Sequence, residues 1–284
     1  MPTVIRQAQR STRDIWPRRC PQVGAPTTLC KAALSTPARG GHPPSGTHDA
    51  QHFDVMVIGS GCAGLTAAVV VAAKHGLRTL VLEKTKSFGG TTEFSGGGAW
   101  IPNNLHQKTI NVVDSRESAE RYLRNVLGNL YDYEMISSFL HNTPIMLQWM
   151  QAHTSVQFKP VTLPDYHVGK EGASVGRTIL TQQYDGRQLG IQRLRSIRYT
   201  LQGYHAFGSM QADPSELPVL SNPFQRMANL AACICKIARF GLDVLLYGKG
   251  SQMANGNALI GRLVKSYNNI GVGGFRRIGQ IIST

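Results

Sequence analysis

The sequence predicts an α/β fold that opens with a β-α-β unit, and three observations predict it. Residues 54 to 58 form a short β-branched, apolar run of the kind that is buried in a parallel sheet. After a glycine turn, residues 63 to 75 are small and apolar, as suits a helix packed against a sheet, and Gly76 is favoured just past the end of such a helix. Residues 79 to 83 are the predicted second strand, which completes the unit.

The turn after the first strand fits the pattern G-x-G-x-x-G. Its residues are Gly59, Ser60, Gly61, Cys62, Ala63 and Gly64. The pattern alone is weak in a chain with 30 glycines, but here it lies directly between a buried-type strand and a helix, as a dinucleotide fingerprint requires. The first glycine makes the tight turn, the second lets the backbone approach a pyrophosphate, and the third allows close helix–strand packing. The phosphates would then face the positive end of the helix, which predicts a Rossmann-like domain.

Glu83 ends the predicted second strand, at about the 20-residue distance beyond the glycine turn at which this fold binds a ribose. Its carboxylate can accept hydrogen bonds from ribose hydroxyls, and it would repel the additional phosphate of NADP. Lys84, the next residue, is a further candidate for binding the cofactor. Since NAD and FAD both bind this fold, the choice between them needs a further feature.

That feature is a second glycine-rich stretch, residues 88 to 98. Its glycines permit close approach of the backbone to a flat ligand, and its hydroxyl side chains can bond to phosphate or to flavin heteroatoms. A flexible surface loop is the alternative. The stretch favours FAD because a simple NAD dehydrogenase gives no reason for such a loop directly after the ribose-binding acid. The candidate flavin contacts are Gly90, Thr91, Thr92, Ser95, Gly96, Gly97 and Gly98.

Composition sets residues 1 to 52 apart, and four segments are expected in all. Residues 1 to 52 are rich in Arg, Pro, Ser and Thr without periodicity, and are expected to be a disordered basic leader, either a transit peptide or an extension without function. Residues 53 to 160 are expected to be the N-terminal part of the FAD-binding domain, residues 161 to 255 a segment of a substrate or cap domain, and residues 256 to 284 a truncated return to the first domain.

The five cysteines form no CxxC pair and no zinc spacing, so no metal site is expected. Reduced thiols suit an intracellular, cytoplasmic protein, or a mitochondrial one if the leader is a transit peptide. The net charge of +14 comes without a nucleic-acid-binding motif, so nucleic acid is not expected as a partner. A solvated basic surface, or attraction to anionic lipid or phosphate, explains the charge.

Local signals predict several helices after the second glycine-rich stretch. Asp114 and Glu117 form an expected capping box for a helix that ends near Gly128. A following helical stretch, residues 134 to 153, is expected to break at Pro144. Residues 227 to 247 have the spacing of an amphipathic helix. Packing in the core is the favoured interpretation for this helix, and peripheral contact with a membrane surface beside an apolar-substrate entrance is the alternative.

Three stretches resemble the flavoproteins grouped with fumarate reductase and succinate dehydrogenase, and within that group the 3-ketosteroid Δ1-dehydrogenases. They are residues 57 to 64, 83 to 84 and 88 to 104. The run Ser-Gly-Gly-Gly-Ala-Trp-Ile-Pro that begins at Ser95 is the more specific part, because the wider group shares only the first half of the stretch. Residues 164 to 178 and 255 to 263 resemble later motifs of the steroid branch.

The resemblance implies a flavoenzyme that carries FAD non-covalently and removes hydrogens from C1 and C2 of a 3-ketosteroid. A base takes the proton next to the ketone while C1 delivers hydride to flavin N5. Tyr166 matches the motif position of a catalytic tyrosine, whose pKa of roughly 10 its neighbours would have to lower. The alternative is an ordinary loop tyrosine. The implied substrate is apolar and steroid-like, and the electron acceptor is not indicated.

The same resemblance implies a second half that this sequence does not contain, and the likeness lapses at about Gly271. A truncated gene model or an alternative terminus is therefore expected, with an incomplete flavin site in a chain that folds poorly and binds FAD weakly. Two other interpretations stay open: a fumarate-reductase-like flavoenzyme acting on small unsaturated acids, and an inactive flavin-binding fragment. The arginines that keep the first of these open are Arg177, Arg187, Arg193 and Arg195.

Overall fold

The computed structural model describes residues 52–197, 205–271 and 273–277, so the predicted leader lies outside the described residues except for His52. The predicted β-α-β unit is confirmed. It consists of Val55–Ile58 (β1), Cys62–His75 (α1) and Thr79–Glu83 (β2). β1 and β2 pair in parallel, and Gly76 ends α1 in the left-handed conformation with φ 64°.

A third parallel strand, Gly273–Arg277 (β10), pairs with the other edge of β2, so the strand order is β1-β2-β10. The chain therefore continues past Gly271 into the parallel sheet, where the sequence predicted no further strand. Phe275 explains the pairing: its ring packs 4.7 Å from that of Phe88 and 4.8 Å from that of Tyr267. The segment lacks a β-branched run, so the sequence carried no local strand signal.

The remaining described strands form one three-stranded and two small antiparallel sheets. The larger sheet has the order β3-β5-β4, and the small sheets pair β6 with β9 and β7 with β8. The strands are Gly98–Trp100 (β3), Phe158–Pro160 (β4), Thr178–Thr181 (β5), Tyr184–Asp185 (β6), His205–Ala206 (β7), Met210–Gln211 (β8) and Gln252–Met253 (β9). The segment boundaries expected after residues 160 and 255 stay predictions.

Seven further helices lie in the described part of the chain. They are Leu105–Thr109 (α2), Arg116–Leu127 (α3), Tyr133–His153 (α4), Ile191–Ser196 (α5), Leu217–Ser221 (α6), Met227–Tyr247 (α7) and Asn255–Ile270 (α8). Two local expectations were wrong. Ser115, not Asp114, caps α3, because its hydroxyl accepts from the Ser118 amide while Asp114 binds Arg177. α4 continues through Pro144, because a proline inside a helix can be tolerated at the loss of one backbone hydrogen bond.

The core forms where α1 and α8 lie side by side over the parallel sheet. Leu65 and Val69 of α1, Val81 of β2, and Ile260 and Leu263 of α8 are all fully buried. α8 is buried on nearly every side, which explains its mixture of small and apolar residues. The other face of β1 is open, since the Ile58 side chain is 76% exposed.

The favoured interpretation of α7 as a core helix was wrong. Ile234, Ile237, Leu242 and Leu245 are exposed, and Leu245 is 81% exposed. Polar contacts hold the helix instead: Lys236 pairs with Glu216, and the buried carboxylate of Asp243 accepts hydrogen bonds from the amide and hydroxyl of Ser251. Hydrophobic periodicity shows that a helix has an apolar face, but not what covers it. None of the helices in the described ranges is long and apolar enough to cross a membrane.

A fully buried ion cluster joins β3, the start of α3 and the segment before β5. The Arg177 guanidinium donates to both carboxylate oxygens of Asp114, at 2.9 and 2.8 Å, and to Asp165 at 2.8 Å. The Trp100 indole N–H donates to the second oxygen of Asp165 at 2.7 Å. Burial alone would raise the pKa of Asp114, but the hydrogen bonds from Arg177 and the Asn103 amide outweigh it, so that this pKa is lowered. The cluster therefore holds its charges in the interior.

We predict that Arg177→Met lowers the free energy of unfolding by about 3–5 kcal/mol, because it leaves two buried carboxylates without their cation. Urea unfolding of the purified chain measures this. Arg121→Met is the matched control, because Arg121 pairs with Glu171 at the exposed surface, where a pair contributes about 0–1 kcal/mol. Equal losses in the two variants would contradict the prediction.

The same cluster predicts the pH dependence. Because the pKa of Asp114 is lowered in the folded state, its contribution is complete above the unfolded pKa of about 4 and is lost as pH falls through the folded pKa. In Arg177→Met the buried Asp114 carboxylate lacks its cation and favours protonation, so the difference in stability between wild type and variant should shrink from pH 7 toward pH 4. A constant difference over that range would show that Asp114 does not carry the effect.

Candidate functional site

The first glycine turn has the geometry that its sequence predicts. Gly59 adopts φ 97° and its amide donates to the Leu82 carbonyl at 2.7 Å, which joins the turn to β2. A Cβ on Gly64 would lie 2.1 Å from the Gly59 carbonyl oxygen, so only glycine permits this packing of α1. Gly61 precedes α1 and has no side chain to cap it, so an amide of the first turn such as that of Ala63 can face an anion, whereas the Cys62 amide donates to the Thr92 hydroxyl.

Glu83 lies at the end of β2, as predicted, but its carboxylate is engaged within the chain. One oxygen accepts from the amide and hydroxyl of Ser60, at 3.1 and 2.5 Å, and the other accepts from the amide and hydroxyl of Thr85, at 2.9 and 3.0 Å. Burial would raise the pKa of Glu83, but these four hydrogen bonds outweigh it and the pKa is lowered. Glu83 thus braces the glycine turn; its ribose contact stays a prediction, as does a role for the exposed Lys84.

The second glycine-rich stretch folds directly onto the first turn. The Gly89 amide donates to the Ser60 hydroxyl at 3.0 Å, and the Cys62 amide donates to the Thr92 hydroxyl at 2.9 Å. A Cβ on Gly90 would lie 3.3 Å from the Cα of Gly61. The structure therefore brings the two predicted halves of the site together, while Thr91 is exposed at its surface.

The N-terminus of α8 is a third component of the site. The Gly256 amide donates to the Ser95 carbonyl at 3.1 Å, and a Cβ on Gly256 would lie only 1.9 Å from the Thr92 carbonyl oxygen. Gly97 has φ 64°, and its missing Cβ would lie 2.3 Å from the carbonyl carbon of Asn255. The sequence placed Asn255 and Gly256 only in a motif of the resembled family; their packing against the loop is a tertiary feature.

A buried lysine that the sequence analysis missed lies beside the same loop. The Lys249 ammonium donates to the Ile197 carbonyl at 3.0 Å. Burial lowers the pKa of Lys249 to about 8, although the negative charge of Glu93 acts in the opposite direction. The Glu93 side chain packs on Gly89, where a Cβ would lie 2.2 Å from it. A lone lysine in a Gly-Lys-Gly sequence offers no pattern from which this burial could be predicted.

The residues present fit a flat dinucleotide. Cβ atoms built on Gly59 and Gly96 would meet no described atom within 4 Å, so both glycines border open space rather than packed chain. Amides of the first turn of α1 beyond that of Cys62 supply donors for phosphate, and hydroxyl side chains of the second stretch, such as that of Thr91, supply donors and acceptors beside it. The exposed Gly98 continues this border into β3.

Tyr166 forms no hydrogen bond with these residues in the described part of the chain. Its side chain is 100% exposed, in contrast to the neighbouring Asp165, which is buried with Arg177. The backbone amide of His167 donates to the Tyr122 hydroxyl at 3.3 Å and so holds the segment that carries Tyr166. Its catalytic role therefore stays a prediction. In the described ranges no three His, Cys, Asp or Glu residues lie close enough together to hold a metal ion.

A parallel β-α-β unit, a glycine turn braced by the acid of β2, and a second glycine loop folded on that turn define a dinucleotide-binding protein of the flavoprotein class. A family model for the FAD binding domain matches residues 54–278. The chain belongs to this FAD-binding family and carries its FAD-binding domain, as the second glycine-rich stretch predicts. The match extends past Gly271, in agreement with the position of β10.

The chain is similar in sequence and in structure to several dehydrogenases. The chain is 36% identical over 221 residues to 4-oxocyclohex-2-ene-1-carboxylate 5-dehydrogenase of Sinomonas cyclohexanicum, covering 77% of this chain and 37% of the relative. It is 41% identical over 142 residues to 3-oxosteroid 1-dehydrogenase of Mycobacterium tuberculosis, covering 49% of this chain and 25% of the relative.

A solved structure of 3-ketosteroid Δ1-dehydrogenase from Sterolibacterium denitrificans, in complex with 1,4-androstadiene-3,17-dione, shares the fold with a TM-score of 0.67 and 28% identity. The similarity covers 78% of this chain and 39% of that one. The chain thus spans less than two fifths of the length of these three relatives.

We predict that Glu83→Gln weakens FAD binding by about 1–3 kcal/mol, roughly 5- to 150-fold in Kd. The amide would place donors opposite the donors of Ser60 or Thr85 and so release the glycine turn. Quenching of FAD fluorescence on titration with the chain measures the affinity. Lys84→Gln, one residue along and exposed, is the control; a Glu83→Gln variant with the Kd of that control would contradict the bracing role.

Proposed function

We propose that this chain supplies the flavin-binding part of an FAD-dependent dehydrogenase that oxidises a 3-oxosteroid or a related cyclic ketone by 1,2-desaturation. The observation that carries the proposal is the second glycine loop, held between the first glycine turn and α8 through Thr92 and Gly256. The names of the relatives support the substrate class, because 3-oxosteroids and 4-oxocyclohexene carboxylate share a ring ketone. Removal of hydrogens next to such a ketone is the chemistry they have in common.

When bound, FAD supplies the hydride acceptor that this reaction requires. The residues of this chain would position it: amides of the first turn of α1 would bind the pyrophosphate, and the glycine turn braced by Glu83 would hold the adenosine end. Residues 95–98 are held from two sides. The Gly256 amide of α8 donates to the Ser95 carbonyl, and the Thr181 hydroxyl of β5 donates to the Gly97 carbonyl at 2.7 Å. Tyr166 is the proposed base for the proton next to the ketone.

The fumarate-reductase-like alternative has less support. Small dicarboxylic acids need free cations, but Arg177 is buried between two aspartates and Arg187 donates to both carboxylate oxygens of Asp185. Arg195 donates to the Tyr247 carbonyl. Three of the four arginines that kept this alternative open are therefore engaged elsewhere in the fold. An inactive flavin-binding fragment remains the outcome that a lack of turnover would favour.

The test uses the 284-residue chain loaded with excess FAD, desalted, and examined for its visible flavin spectrum. We expect 4-androstene-3,17-dione to bleach the flavin under anaerobic conditions, and fumarate to fail to reoxidise chemically reduced flavin. Retained flavin without bleaching by the steroid would favour the inactive fragment, and rapid reoxidation by fumarate would favour the fumarate-reductase-like alternative.

We predict that Tyr166→Phe slows steroid-dependent bleaching by about 10²-fold or more, because the variant lacks the proposed base. Tyr133→Phe, which alters another exposed tyrosine, is the matched control and should retain the wild-type rate. FAD affinity should be unchanged in both variants. Bleaching by Tyr166→Phe at the rate of the control would remove Tyr166 from the mechanism.

We also propose that α7 makes peripheral contact with an anionic membrane surface. Support comes from its exposed apolar side chains, such as Leu242 and Leu245, and from the net charge of +14. An amphipathic helix buries such side chains at the boundary between headgroups and acyl chains, while basic residues attract anionic lipid. A surface at which apolar compounds dissolve would suit the proposed substrate class.

We predict that the chain sediments with vesicles of phosphatidylcholine and phosphatidylglycerol more strongly than with phosphatidylcholine alone. Leu242→Asp combined with Leu245→Asp should abolish most of this binding, because each buried leucine contributes about 1.5–3 kcal/mol. Val113→Asp, which changes an exposed apolar residue elsewhere, is the control. Equal sedimentation of the double variant and the control would exclude α7 as the contact.

A further inference from the structure

A groove of about 640 Å³ lies between α6, α7 and β8. Its wall is mainly apolar and includes Leu217 and Leu220 of α6 and Leu230, Ile234 and Ile237 of α7. The volume falls within the range of roughly 300–1,000 Å³ that is usual for small-molecule sites. The residues of the candidate functional site are not part of this wall, with one exception at its polar end.

That exception is Asn255, which also lines the groove. It is the first residue of α8, is only 7% exposed, and has φ 54°, a left-handed conformation that is uncommon outside glycine. Its carboxamide makes no hydrogen bond within the described residues. Lys236, the charged residue of the wall, is already engaged, since its ammonium donates to Glu216 at 2.8 Å and to Gln252 at 3.2 Å. Asn255 is therefore a nearly buried polar residue that borders an apolar groove and whose carboxamide is not hydrogen-bonded to any other described residue.

The groove also ends beside the second glycine loop, residues 88 to 98. The backbone of Asn255 packs against Gly97, and the next amide, of Gly256, donates to the Ser95 carbonyl. A ligand that reaches Asn255 thus contacts a residue whose backbone packs directly on the second glycine loop. An apolar body with a single polar group at one end would match both the wall and the polar end, and the Asn255 NH2 group can donate to an acceptor such as a ketone.

We propose that this groove binds an apolar carbonyl compound of steroid size, with its ketone oxygen accepting a hydrogen bond from the Asn255 carboxamide. The substrate class rests on the proposed function, but the site rests on the groove itself. Binding removes the apolar wall from water and gives the Asn255 carboxamide a hydrogen-bond partner within the groove. The groove would then bring an apolar ketone to the second glycine loop, where the flavin would bind.

Two cysteines of α7 provide a direct test. Cys233 lines the groove, whereas Cys235 is exposed and is not part of its wall. Alkylation of the FAD-loaded chain is followed by mass spectrometry of the peptide that contains both residues, with fragmentation to distinguish them. With 4-androstene-3,17-dione at ten times its Kd, we expect alkylation of Cys233 to slow about tenfold and that of Cys235 to stay unchanged. The wild-type chain suffices, so no variant has to fold.

Asn255→Gly tests the polar end, because glycine removes the carboxamide and accepts the left-handed backbone. It should weaken protection by the ketone about three- to tenfold and leave protection by the parent hydrocarbon androstane unchanged. No protection of Cys233 would overturn the proposal. Equal protection of both cysteines, with a doubled mass by light scattering, would assign the groove to a second copy of the chain. An equal effect of Asn255→Gly on ketone and hydrocarbon would remove Asn255 from recognition.

Flavin bleaching recorded in the same samples separates this proposal from the proposed function. Protection of Cys233 without bleaching would support the groove and contradict the dehydrogenase activity. Bleaching without protection would do the reverse.

Discussion

The close approach of α8 to the second glycine loop is the constraint on which the site depends. A Cβ on Gly256 would lie 1.9 Å from the Thr92 carbonyl oxygen, and one on Gly97 would lie 2.3 Å from the carbonyl carbon of Asn255. Backbone therefore meets backbone between segments that are far apart in the chain. Because α8 is buried on nearly every side, it acts as a rigid support, and the loop takes the position that this support allows.

The same contact connects the two ends of the candidate site. On one side, the Thr92 hydroxyl accepts from the Cys62 amide and so joins the loop to the first turn of α1. On the other side, Asn255 borders the apolar groove under α7. Glu83 completes the arrangement through Ser60, whose hydroxyl also accepts from the second loop. The glycine turn is thus held by the chain itself, which is the preorganisation that cofactor binding benefits from.

Several elements follow from the sequence because their causes are local. The β-branched run of β1, the glycine turn and the glycine that ends α1 each act over a few residues, and all three were predicted correctly. Local signals failed where a distant partner competes. Asp114 has the sequence context of a helix cap, but Arg177 binds its carboxylate, and Ser115 caps α3 instead. β10 forms because Phe275 packs on aromatic rings from other parts of the chain.

The sequence by itself determined the β-α-β unit, the dinucleotide fingerprint with its acid at Glu83, and the second glycine-rich stretch that indicates a flavin. Only the tertiary structure decided that α8 supports this stretch, that Arg177 is buried between two aspartates, and that the apolar face of α7 is exposed. The physical reason is range. Turn geometry and periodicity depend on neighbours in sequence, whereas burial and ion pairing depend on which segments the folded chain brings together.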